Sequence, residues 1–414
     1  MSISQNFPEE GPTLNLNFAG SRTLDPRITF SRTTTGTYMD ANGLIVTAPA
    51  DAPRFDHRYV NGEIESLGLL VEEGRTNLTQ NSETLTDYSN QRVSNSTVTT
   101  GGPFGTGYHE KTITVVGGQY NFHSSNQISL TTGQTITFSI FFKNISIDPN
   151  QIYLRCWTGS GRAWTTQRQV RYNLSTLTAT DSTGTIVNKS IQAFPDGWYR
   201  LSMTVTADQN GFAAESFLTD NNSIGTKYQI MGAQVEAGAF PTSYIPTEGS
   251  TVTRTADNAS ITGSNFTEWY SQDEGALCAT YSRNVDKNNQ MVAQIRNADS
   301  SNRIEIRGQG SSSNSFRIEV IEGDRTQQQE FQITPSGNAI STFHKCNLAY
   351  KQNNFASAIN GTLYTDDAGV VGNCDRIVIG AANYGATGDF NGHIAQLTYY
   401  PQRLPNSQLI ALTR

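Results

Sequence analysis

The chain holds 414 residues, too many for one ordinary core, so two or three domains are expected. Its net charge of -7 comes without a basic stripe, which argues against nucleic acid as a partner, and its 19 Phe, 17 Tyr and 4 Trp exclude a disordered chain. Only 36% is hydrophobic and 16% charged; the remainder is rich in Ser, Thr, Asn, Gln and Gly, which suits short strands with one wet face joined by polar turns.

The opening MSISQNFPEEGPTL has no basic start and no apolar core, so it is not read as a signal peptide. No apolar run exceeds strand length, and membrane insertion is not expected. In residues 1–78, Leu14, Leu16 and Phe18 alternate with polar residues, and Asp25-Pro26, Asn42-Gly43 and Asn61-Gly62 mark turns. This block reads as an N-terminal set of β-hairpins that serves as an attachment segment or packs on the next domain. Its last apolar strand, ending at Val71, runs into Glu72 and Glu73. These read as a solvated charge cluster, with pairing to Arg75 or another arginine as the alternative.

Residues 79–262 read as an antiparallel β-sandwich. The strands QTITFSIFFKNIS, QIYLRCW, DGWYRLSMTVTA and YQIMGAQVEAG are separated by regular turn signals. Pro241 and Pro246 then stop strand formation. STVTRTADN, beginning at Ser250, echoes ITFSRTTTG, beginning at Ile28, which suggests that the two segments pair or pack. Residues 263–414 alternate almost throughout and read as a second sandwich. Its last strand stops at Pro401, and a short helix over 404–414 folds back, with Pro405 in its first turn and Asn406 or Ser407 as cap.

The closing stretch resembles the end of a concanavalin A-like lectin/glucanase (laminin-G-like) jelly roll. The matching residues are the Asn360-Gly361 turn, Ile379-Gly380, then Phe390, Gly392 and Ile394, and a tail of Tyr400, Arg403, Leu404, Leu409 and Leu412. The strings ITFSRTTTGTYMDANGLI, GLLVEEGRTNL, FPDGWYRLSMTVTA and GAQVEAGAFPTSYIPTEGSTVTRTADNASI together resemble a recurrent phage virion protein. In such proteins a carbohydrate-binding-module-like sandwich precedes the concanavalin A-like domain. The resemblance implies a tail, fibre, baseplate-peripheral or capsid-decorating protein, made in a bacterial cytoplasm and carried on the virion. Its implied partners are other virion proteins, further copies of itself (a trimer if it is a fibre) and host surface polysaccharide.

Catalytic and metal signals are thin. Glucanases of this fold carry alternating acids on one strand; GEIESLG offers Glu63 and Glu65 outside the sandwich, while RIEIRG and RIEVIEGD offer single acids, so no enzyme is expected, with a polysaccharide-cleaving depolymerase or a non-viral glycan-binding adhesin as the alternatives. The five histidines lack metal spacing, and no metal or cofactor is expected. The oxygen-rich loops DANG, TDNNSIG and TDDAG read as turns, with a structural calcium ion as the alternative. Cys156, Cys278, Cys346 and Cys374 read as reduced thiols, with a Cys346–Cys374 bridge as the alternative.

Two binding candidates remain. In YLRCWTGSGRAW, Tyr153, Arg155 and Trp157 share one strand face opposite Leu154 and Cys156, with Arg162 and Trp164 following. Turned outward, this row would stack on a sugar or meet a protein partner; otherwise it packs under a loop or neighbour. The loop ANYGATGDF supplies Asn383, Tyr384 and Asp389 as ligand contacts, or is a plain loop.

Overall fold

The computed structural model describes residues 8–414 apart from 9, 87, 116–120, 126–127, 159–166, 219–221, 286, 288, 310–314, 324–325, 334–340, 367 and 382–388. Among the described residues the protein is almost entirely antiparallel β, arranged as two sandwiches. Three short α-helices, Phe18–Ser21, Ser264–Thr267 and Asn406–Leu412, and a 3-10 turn at Pro195–Gly197 are the exceptions.

The middle sandwich is one continuous stretch of chain. One of its sheets runs in the order Asn188–Ala193, Trp198–Thr206, Thr135–Asn144, Lys227–Ala237, Tyr108–Ile113, Val93–Val98. The other runs Thr178–Thr183, Gln167–Asn173, Gln151–Thr158, Phe212–Leu218, Asn121–Ser125, Tyr88–Gln91. Alternation puts Ile136, Phe138, Ile140 and Phe142 of the central strand into a core with Leu154, Cys156, Val170 and Tyr172 from the facing sheet.

The second sandwich is not built from residues 263–414 alone. Its eight-stranded sheet runs Thr362–Asp366, Phe355–Ile359, His344–Lys351, Glu274–Arg283, Gly392–Tyr400, Glu63–Val71, Arg54–Val60, with Leu14–Asn17 also paired to Gly392–Tyr400. Its seven-stranded sheet runs Thr29–Ser31, Asn258–Thr262, Arg376–Ile379, Gln290–Arg296, Arg303–Gln309, Ser315–Glu322, Thr326–Ile333. The strand order therefore differs from a division at 78 and 262: most N-terminal strands complete the C-terminal sandwich, and Leu14, Leu16 and Phe18 lie in its core. The hairpin Gly36–Met39 and Ile45–Ala48 instead packs against the middle sandwich, with Met39 and Ile45 touching the cluster around Phe141, Phe194 and Trp198.

Close approach explains the Phe-x-Gly pattern before the last strand. A β-carbon on Gly392 would meet the Ser282 carbonyl oxygen at 2.1 Å, so only glycine lets Gly392–Tyr400 pair there. The terminal helix, Asn406–Leu412, starts two residues later than the sequence suggests. Pro405 is its N-cap, and no side chain caps it; Leu409 is buried against Ala349 and Ala356.

The chain enters and leaves the middle sandwich through a two-stranded neck, Arg75–Asn77 paired with Val252–Arg254. The echoing segments meet beside it. Thr29–Ser31 pairs with Asn258–Thr262, Arg32 reaches Asp257 at 2.9 Å, and the Thr255 amide donates to Thr34 Oγ1. Glu72 and Glu73 are not solvated, because the neck draws them under the junction. Glu72 takes Arg54 at 2.8 Å and accepts from the Ser243 amide and hydroxyl; Glu73 takes Arg75 and Lys287. Burial alone would raise Glu72, but the charges of Arg254 and Arg54 and the Ser243 hydrogen bonds hold it well below the ordinary carboxylate range. Glu73 is likewise lowered: Arg75 and Lys287 outweigh its desolvation.

Candidate functional site

The aromatic row on Gln151–Thr158 is not a platform. Leu154 and Cys156 face the core as alternation requires, yet Arg155 and Trp157 on the opposite face are only 0% and 2% exposed. The Arg155 guanidinium carbon stacks 4.3 Å from the Trp157 ring centre. Gln169, opposite Arg155 in register, is buried on the same face. Alternation assigns faces; it does not say what covers them. Tyr153 is half-buried, and Arg162 and Trp164 lie outside the described residues.

A different surface gathers polar side chains. In the seven-stranded sheet, Phe30, Ala259, Ile261, Ile295, Ile304, Ile306, Ile318, Val320, Ile377 and Ile379 point to the core. Their strand neighbours must therefore point away from it. Register sets them in rows: Thr29, Ser260, Val378 and Gln294 in one, Thr262, Arg376, Arg296 and Arg303 in the next. Where Thr29–Ser31, Asn258–Thr262 and Arg376–Ile379 run side by side, this face is open and forms a groove of about 220 Å³. Thr29, Ser31, Asn258 and Thr262 are exposed along it, and Arg376 is half-buried. Arg296 is fixed at its edge by donating to the carbonyls of Asn297 and Ala298 and to Ser300 Oγ, at 2.9–3.0 Å. Arg376 is turned by Asp375, 2.6 Å from its Nε.

Further along, the same face is closed to solvent and carries an ion ladder. Glu305 and Glu319, from RIEIRG and RIEVIEGD, are direct cross-strand partners. A search of single strands for acids misses this pair, since only strand register brings it together. Arg303 and Arg307 each contact both carboxylates, at 3.1–3.6 Å, and Gln294 Nε2 donates to Glu305 at 2.6 Å. Both carboxylates are thus held in ion pairs and buried, at 0% and 2% exposure.

Ala381, which precedes the loop ANYGATGDF in sequence, lines the groove. Asn383 and Tyr384 lie outside the described residues, and Asp389 is half-buried. In DANG, Asp40 Oδ1 accepts from the amides of Asn42 and Leu44 at 2.9 Å, a local turn. Among the described residues no group of three or more His, Cys, Asp or Glu could hold a metal ion. The histidines hold structure: His57 contacts the Met39 carbonyl, His109 the Glu83 carbonyl, and His393 the Asp56 carboxylate. None of the four cysteines is in a disulfide, and burial pushes the Cys278 and Cys374 thiols up to about 12.

No family model matches the chain, and no curated protein does. Among solved structures it is similar to the Ruminococcus gnavus IT-sialidase CBM40, at 15% identity over 35% of this chain and 84% of that one, with a TM-score of 0.31. It is also similar to domains LG4-5 of the mouse laminin alpha1 chain, at 10% identity over 82% and 92%, TM-score 0.26. The CBM22-1-CBM22-2 tandem of Paenibacillus barcinonensis Xyn10C aligns at 8% identity over 80% and 98%, TM-score 0.28. At these scores the likenesses carry no functional argument, and the fold described above rests on the strand pairing.

Proposed function

We propose that this protein is a non-enzymatic surface component of a phage virion that binds host surface polysaccharide through the groove on its seven-stranded sheet. The observation that carries the binding reading is the open face itself. Hydroxyl, amide and guanidinium groups stand in register on three adjacent strands, with Thr29, Ser31, Asn258, Ser260, Thr262 and Arg376 facing one trough. A chain of sugar hydroxyls is recognised by such a density of donors and acceptors. The virion setting is supported by the residue strings that resemble phage virion proteins. The pairing of Glu305 and Glu319 with two arginines supports binding over cleavage.

The test is a panel of purified bacterial surface polysaccharides offered to the whole protein. One of them is expected to bind and to lose affinity about tenfold or more with Arg376→Ala or Asn258→Ala, at unchanged melting temperature. No new reducing ends are expected on long incubation. Equal binding by the variants, or no binding by the wild type, overturns the groove. Chain shortening that stops with Glu305→Gln makes the protein a depolymerase instead.

A further inference from the structure

A second concavity, of about 800 Å³, lies between the two sandwiches. One wall is the strand Asn188–Ala193, which ends its sheet; among the described residues no strand pairs with its outer side. Every residue from 187 to 193 lines the cleft. A strand seen face-on contributes alternate residues, so an unbroken run means that the cleft follows the strand's edge.

The ladder gives the direction of the backbone groups. The Phe194 amide donates to the Trp198 carbonyl at 2.8 Å, and the register continues without a shift through Gln192, Ser190 and Asn188. In an antiparallel pair the bonded residues alternate, so Lys189, Ile191 and Ala193 aim their backbone groups into the cleft. The Lys189 amide is taken by Asn188 Oδ1 at 2.8 Å. The amides of Ile191 and Ala193 and three carbonyls are left facing the opening. The lining also includes Arg58, Tyr59 and Val60, from the edge strand of the eight-stranded sheet, together with Leu70 and Phe240.

The charge of the cleft is one-sided. Its carboxylates, Asp56 and Glu72, are already engaged, by His393 and by Arg54 with Ser243. Its cations are Arg58, Lys189 and the buried Arg200. The partners of the first two, Glu65 and Asp181, lie outside the lining and are 47% and 46% exposed, where ion pairs hold weakly.

We propose that the cleft takes an extended, acidic segment of another protein chain, added as a further strand along Asn188–Ala193. Edge backbone groups supply affinity in such strand addition, and side-chain pockets with complementary charge supply selection. This goes beyond the groove and does not depend on it.

A displayed library of random ten-residue peptides, selected on the whole protein, tests the idea. Peptides that alternate apolar residues and carry acids are expected to be enriched. A selected peptide should bind about tenfold or more weakly to Ile191→Pro, which removes an amide aimed into the cleft and spares the ladder. Arg58→Glu with Lys189→Glu should weaken it similarly, and so should N-methylation of the peptide's alternate amides, which leaves the protein untouched. Polysaccharide binding at the groove should be unchanged by these variants. No enrichment, or a selected peptide indifferent to all three changes, overturns the proposal. So does a polysaccharide whose binding is abolished by Ile191→Pro, which would give the cleft to sugar.

Discussion

The middle sandwich takes its strands from residues 88–237, whereas the sandwich that carries the groove takes them from both sides of that stretch, 14–71 and 258–400. In the first, all pairing stays within one stretch of chain. In the second, Thr29–Ser31 must find Asn258–Thr262, and Leu14–Asn17 must find Gly392–Tyr400. Closing such long loops costs entropy before the contacts return it. The buried ion cluster of Arg32, Arg54, Glu72 and Asp257 sits where the two halves are joined. The strings SRTTTG, LLVEEGRTN and TRTAD run into this joint. Their charged residues hold the two sandwiches together and do not line the groove.

That difference can be broken or sharpened by substitution. The largest effect is expected from Glu72→Ala, which strands the buried Arg54 guanidinium between fewer partners. Removing one member of a buried pair costs about 3–5 kcal/mol. Calorimetry should show the two-ended sandwich melting earlier while the middle sandwich holds its transition; a joint shift of both would erase the contrast.

A smaller effect is expected from acid. Glu72 and Glu73 bind protons less readily folded than unfolded. Their stabilisation is therefore complete above the ordinary carboxylate value of 4.5 and is lost as pH falls below it towards their folded values. Denaturant midpoints measured from neutral pH downwards should fall more steeply for the wild type than for Glu72→Gln. The smallest effect lies in the middle sandwich. Burial pulls Lys111 down to about 8, so its charged form costs stability below that pH. Lys111→Met is expected to raise stability at pH 7 by on the order of 1 kcal/mol, in the middle transition alone.

Much of the fold was legible because alternation is local. The strand ending at Pro401, the short closing helix and the Asn61-Gly62 turn could be read from neighbouring residues, and the turn has φ of 51° and 91° as that dipeptide favours. The echo of Arg32 and Arg254 correctly suggested a long-range meeting. What periodicity lacks is the identity of the neighbour. It could not show that Glu305 lies beside Glu319, that Arg155 and Trp157 are covered, or that the groove joins Thr29 to Arg376. A residue's face is written in its own strand, but its burial is written in others.

The most direct measurement compares two shortened chains, residues 263–414 alone and residues 8–77 joined to 252–414 by a short Gly-Ser linker. Thermal unfolding and polysaccharide binding are followed in each. The joined chain holds Thr29, Ser31, Asn258, Arg296 and Arg376 of the groove, and is predicted to unfold cooperatively and to bind what the whole protein binds. Residues 263–414 alone are predicted to do neither. A cooperative transition with retained binding in that fragment would contradict the account.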